Sequence, residues 1–162
     1  MNRYTNEMED LILNEKTFTI EFHSGIGNSI GGFFYGLYIY SLLELKKTHK
    51  LIVLSKQSNR GFYNIHNFFD TNNKILLYEN SNNENLFDGN QIEIDSKSSL
   101  VRGENYYDLK TIIFKIIPIP NKYYDDINIM KRIKDMCIHF EIILKNEIKD
   151  KIIEFNNKNF IG

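Results

Sequence analysis

The hydrophobic and polar positions of the chain change period several times. Thr17 to Phe22 is a short apolar run and reads as a first strand. Residues 28–47 carry Ile30, Phe34, Leu37, Tyr38 and Leu42 close to helical spacing, which predicts a helix. Glu44, Lys46 and Lys47 give it a charged end, with the lysines favourable at the C-terminal dipole. Lys50 to Ser55 is nearly all apolar, as in strands of a parallel sheet covered on both faces. Ser58 to Gly61 reads as a turn, Phe62 to Phe69 as a short helix and Lys74 to Tyr78 as a third strand. A polar loop over 79–91 precedes an alternating stretch, Gln91 to Asp95, that suits a short strand. Residues 96–108 read as loop. Residues 109–117 are apolar without a deciding period, and Pro118 and Pro120 break what precedes them.

From Tyr124 to Phe155 the pattern is helical. Ile127, Met130, Ile133, Cys137, Phe140, Leu144, Ile148, Ile152 and Phe155 recur every three or four residues, with room for a break near Phe140. This predicts an amphipathic helix lying on a sheet. Asn156 to Asn159 reads as a turn, and Phe160-Ile161-Gly162 as the start of another strand. Strands alternating with helices predict an α/β fold: a single Rossmann-like domain over residues 1–162, with a mainly parallel sheet and flanking helices. Ligands of such sheets bind at the carboxyl ends of the strands, near the switch point, and the turn at 23–28 falls there.

Charge adds little. Twenty basic and 21 acidic residues leave a net charge of −1, so there is no general electrostatic reason to bind nucleic acid or an anionic membrane. Met1 to Asp10 is polar and lacks a signal-peptide core, and no run is long enough to span a bilayer, so the cytoplasm is the default location. The single cysteine, Cys137, excludes an intrachain disulfide and reads as a buried thiol. Alanine and tryptophan are absent, while residues with AT-rich codons abound. That bias points to an AT-rich genome and makes Asn-rich patches such as Ser81 to Asn85 a matter of composition.

Candidate chemistry centres on His23-Ser24-Gly25-Ile26-Gly27-Asn28. Gly25-x-Gly27-x-x-x-Gly31 departs from the dinucleotide fingerprint, because position 30 is Ile30. Leu54-Ser55-Lys56 also stands where an acidic residue belongs. No Gly-Lys-Ser/Thr follows, so this turn is not a P-loop. The glycines either serve packing or let backbone N–H groups approach a ligand, since glycine lacks a Cβ and tolerates positive φ. Asn28 suits the N-cap of the next helix. His23 is either a cleft residue or a strand-end histidine, and Arg60 either reaches an anion or is a solvated turn residue. Asp70, Asp125 and Asp126 lack an Asp-x-Asp motif and read as loop and helix-start acids. His49, His66 and His139 read as surface or packing residues, and no cluster has metal-site spacing.

The order of strand, Gly-x-Gly-Asn turn, aromatic-bearing helix, basic turn and apolar strand over residues 17–54 resembles the GDP-fucose-dependent fucosyltransferases. These are the nodulation α-1,6, the α-1,2 and the protein O-fucosyltransferase group. The residues are Phe22 to Asn28, Phe33-Phe34-Tyr35-Gly36-Leu37 and Lys50 to Leu54. Phe140, Ile148, Lys151, Ile152, Phe155 and Asn159 to Gly162 resemble the helix and strand before that family's His-x-Arg motif. Between the two segments the likeness is limited to Arg60 and Asn67-Phe68-Phe69-Asp70. The resemblance implies the N-terminal, acceptor-side half of a GT-B glycosyltransferase. Such an enzyme moves a sugar from GDP-fucose or a related GDP-sugar to a glycan or protein acceptor, without a metal. The resemblance also implies that Asn28 contacts the reacting centre. His23, Gly25, Gly27, Asn28 and Arg60 would bind substrate or donor. The chain stops before the His-x-Arg position, so the expectation is a half that is inactive alone, completed by a second polypeptide half or a homo-oligomer. The alternative expectation is a small non-catalytic nucleotide- or partner-binding α/β domain.

Overall fold

The apolar runs pair with one another in parallel. The computed structural model describes residues 6–23, 25–57, 59, 61, 63–80, 91–95, 106–115 and 125–160. In chain order these form α1 (Asn6–Asn14), β1 (Thr17–Phe22), α2 (Ile26–Leu42), β2 (Lys50–Lys56), β3 (Phe69–Asp70), β4 (Ile75–Asn80), β5 (Gln91–Asp95) and β6 (Thr111–Lys115). They continue as α3 (Ile127–His139), β7 (Ile143–Leu144) and α4 (Asn146–Phe160). Five strands make one parallel sheet in the order β4-β2-β1-β6-β5. The chain winds outward from β1 through β2 to β4, then returns on the far side of β1. The winding therefore reverses between β1 and β6, the switch point of a Rossmann-like α/β fold. Here β6 lies beside β1 and β5 takes the edge.

The helix α2 sets the layering. Its 17 residues, IGNSIGGFFYGLYIYSL, include no charged side chain. A helix that is apolar all round has to be covered on more than one side. One side lies on β1 and the other against α3. Phe18, Ile20 and Phe22 of β1 share one core with Phe33, Leu37 and Tyr40 of α2 and with Met136 and Phe140. Each such side chain contributes about 1.5–3 kcal/mol on full burial. Tyr40 spans the layers, with ring centroids 5.5 Å from Phe18 and 5.9 Å from Phe140. Its hydroxyl donates to the His49 carbonyl at 2.7 Å. At Gly36 the helix lies tight against the sheet: a Cβ there would lie 2.7 Å from Ile20 Cδ1 and 3.2 Å from Phe114 Cδ1. The opposite face of the sheet is covered by α1, whose Met8 is fully buried with Ile52, Leu54 and Ile113.

Several expectations need correction. The polar N-terminal stretch contains a helix, α1, because Met8, Leu11 and Ile12 recur on one side and find the sheet. The helix expected over 28–47 runs from Ile26 to Leu42, with Gly25, not Asn28, at its N-cap. The stretch 62–69 holds only a 3-10 turn over 65–67 before β3, which pairs antiparallel with β7. The ambiguous 109–117 segment contains β6, buried on both faces at Ile112, Ile113 and Phe114. The long helix does break at Phe140. Its first half, capped by Asp126 with bonds to the Asn128 and Ile129 amides, lies on α2 and not on the sheet. Residues 156–159 are helical within α4, and so is Phe160. Residues 151–158 are exposed throughout. Of the expected turn at Ser58 to Gly61, Asn59 and Gly61 are described, Asn59 as a turn; the loops over 79–91 and 96–108 fall largely outside the described residues, as do Pro118 and Pro120.

His49 is a packing residue with a defined tautomer. Its Nε2 lies 2.6 Å from the Leu109 carbonyl, which only accepts, so Nε2 carries the proton. Its Nδ1 then accepts from the Thr48 hydroxyl at 2.7 Å. Burial lowers the His49 pKa, the Leu109 bond opposes that, and Lys16 adds to it.

Two outcomes follow. Gly36→Val forces Ile20 aside and lowers stability by about 1–3 kcal/mol in denaturant unfolding. The depressed His49 pKa gives stability that is full above about pH 6.5, the unfolded value, and declines as pH falls below it. Thermal melts between pH 7.5 and 5 show this decline, and His49→Gln makes it shallower.

Candidate functional site

At the carboxyl edge of the sheet three strands end level. The register sets Phe22 opposite Ser55, and Ser55 opposite Glu79. Strand alternation turns all three toward the face that carries α2. Ser55 and Glu79 line a cavity of about 260 Å³ together with Asn64 and His66. The last two are brought there by Ile65, which is buried in the main core and pins the 3-10 turn against the sheet. The Asn64 Oδ1 atom is buried, and among the described residues it has no hydrogen-bond partner.

His23 follows Phe22 directly, and its Nε2 is likewise buried without a partner among the described residues. Next comes the start of α2. Gly25 is its N-cap and offers no side-chain cap. The first rung of the helix is the bond from Ser29 N to Gly25 O at 2.9 Å, so the amides before Ser29 lie outside the helical ladder. Amides of this kind favour a negative group. Gly25 has φ −57°, and Gly27 is helical. The turn therefore does not use the left-handed conformation expected of its glycines; Gly61 does, at φ 121°. Nor does Gly27 serve packing: it is exposed, and among the described residues a Cβ on it would meet nothing within 4 Å.

Of the residues singled out from the sequence, His23, Gly25, Gly27 and Asn28 fall on one stretch between β1 and the first turn of α2. For Asn28 the structure describes the backbone alone, as the third residue of α2. Arg60 lies outside the described residues. Ser55, Asn64 and Glu79 were not singled out from the sequence, and His66 read there as a surface or packing residue. One signal was available: Ile65 stands alone between polar neighbours, the mark of a loop anchored at a single point. Glu79 and the imidazoles of His23 and His66 are groups at this edge able to take a proton.

The other face of the same edge holds a buried ion pair. Lys56 Nζ lies 3.5 Å from Glu21 Oε1, with both side chains less than a tenth exposed. Glu21 ends a polar line on β1 with Thr17 and Thr19, all buried on the α1 side of the sheet. Cys137 is half-buried, and burial pushes its thiol pKa up, away from nucleophilic use. Among the described residues no three His, Cys, Asp or Glu side chains gather to hold a metal ion, and no helix is long and apolar enough to cross a membrane.

Removing one partner of the buried pair strands a charge. Lys56→Met lowers stability by about 3–5 kcal/mol in denaturant unfolding, and Glu21→Leu added to it recovers most of the loss.

The chain matches no protein-family model, no curated protein and no solved structure.

Proposed function

We propose that the carboxyl edge binds a polyhydroxylated, negatively charged ligand. On this reading the chain is the acceptor-side half of a glycosyltransferase using GDP-fucose or a related GDP-sugar. The observation that carries it is two buried polar atoms at this edge, His23 Nε2 and Asn64 Oδ1, that have no partner among the described residues, with His23 just ahead of a helix whose N-cap, Gly25, offers no side chain. Each orphaned polar atom costs free energy until a ligand group bonds it. Asn64 Oδ1 accepts, so it asks for a hydroxyl or N–H. The helix start asks for negative charge. A sugar linked to a phosphate offers both.

Sugar transfer breaks the anomeric C–O bond, with the electron pair leaving on the diphosphate. An acceptor hydroxyl oxygen bonds to the anomeric carbon, and its proton passes to a base. Preorganised N–H donors favour the departing negative charge. In this reading Gly25, Gly27 and Asn28 supply backbone donors, Asn28 adds its amide side chain, and Arg60 contacts the donor. The exposed Gly27 supports it, because a position with no packing role leaves room for a ligand against the backbone. The resemblance over 17–54 narrows the sugar nucleotide to the GDP type.

A second reading, a non-catalytic partner-binding domain, is favoured by one feature. Ile152 and Phe155 of α4 are exposed on a helix whose apolar positions suit a partner. The two readings part in one assay, on the full product of the gene. The enzyme reading expects transfer or hydrolysis of GDP-fucose that Gly27→Val removes, while Gly27→Ala keeps the fold intact. Failure to bind GDP or to consume any GDP-sugar overturns it. A stable oligomer abolished by Phe155→Glu then favours the second reading.

A further inference from the structure

The amino edge of the sheet, opposite the glycine turn, carries a row of lysines. Lys16 precedes β1, Lys50 opens β2, Lys74 precedes β4 and Lys110 precedes β6. Thr17 pairs with Lys50 and with Thr111, and Leu51 pairs with Ile75, so the four lie side by side across the sheet. Lys50 pairs with Glu15 at 2.7 Å, and Lys110 donates to the Leu13 carbonyl.

At the β4 end the row opens into a cavity of about 340 Å³. Its basic groups are Lys46, His49, Lys50, Lys74 and His139, and no acidic residue lines it. Leu51, Leu76 and Phe140 supply apolar lining. Among the described residues neither Lys46 nor Lys74 is in an ion pair. Burial, then Lys46, then Lys74 hold the His139 pKa below its ordinary value, so both lysines act on the same imidazole.

Lysines after helices often serve the free carbonyls of the last turn. Here most of those carbonyls already have partners. Asn72 donates to the His139 carbonyl through its side chain at 3.1 Å and to the Phe140 carbonyl through its backbone at 2.9 Å. At the end of α2 the carbonyls of Ile39, Tyr40 and Ser41 accept from Leu43, Leu45 and Glu44. Capping therefore leaves Lys46 and Lys74 without a task.

We propose that this cavity is a second binding site, for a compact phosphate-bearing ligand held by Lys46, Lys74 and His139. A dianionic phosphate group balances the two lysines, and His139 donates to it when protonated. The apolar lining suits the body of a phosphate ester. This site stands independently of the glycosyltransferase reading, which concerns the other end of the sheet.

The test is a titration of the isotope-labelled chain with inorganic pyrophosphate at ~0.15 M ionic strength, followed by amide NMR. Saturable shifts at Lys46, Lys74 and His139 with a Kd below about 1 mM are expected. The Lys46→Gln/Lys74→Gln double variant, with an unchanged melting temperature, weakens binding at least about tenfold. No saturation, wild-type affinity in the double variant, or shifts at Gly25 to Gly27 instead would each overturn the proposal. An RNA oligonucleotide that outcompetes pyrophosphate and shifts the whole lysine row also overturns it, in favour of an extended polyanion surface.

Discussion

A helix without a charged residue has no side to leave to water, and that constraint organises this molecule. Between Ser29 and Leu42 no described residue of α2 is exposed. The sheet covers one side and α3 the other. Close contact with the sheet is possible because Gly36 brings the helix backbone onto Ile20. Tyr40 then joins all three layers through Phe18 and Phe140. The start of α2 inherits its position from this packing. A helix fixed along its length holds its first amides at one place above the end of β1, which is what a ligand site needs.

The two ends of the sheet differ in kind. The carboxyl edge gathers neutral and ionisable groups: Ser55, Asn64, His66 and Glu79 on one cavity, and His23 at the end of β1 just ahead of α2. The amino edge gathers lysines and two histidines with depressed pKa values. A net charge of −1 conceals this division, because the sum over the chain says nothing about where the charges lie. The charge balance gives no general electrostatic reason to bind polyanions, and it is compatible with a local basic edge of this kind.

Much of the fold was legible because its elements have strong local signatures. β1 and β2 were placed to within a residue, since an apolar run bounded by polar residues fits a buried strand. The helical pattern left room for a break near Phe140, and α3 ends there. The expected turn at 156–159 was wrong because asparagine-rich composition imitates a turn signal, while α4 continues through it. The N-cap was misplaced by three residues, since Asn28 has the better capping chemistry but Gly25 occupies the bend. Of the site, only the His23 to Asn28 stretch was legible, because it is contiguous.

The sequence by itself determined the α/β class, the parallel strands and the glycine turn at the end of β1. Each follows from local patterns of apolar and small residues. Only the tertiary structure decided that β6 lies beside β1, that Asn64, His66 and Glu79 meet Ser55, and that four separate lysines share one edge. Those are consequences of strand order and register. Residues distant in the chain become neighbours through backbone pairing, and no local pattern encodes which strand pairs with which.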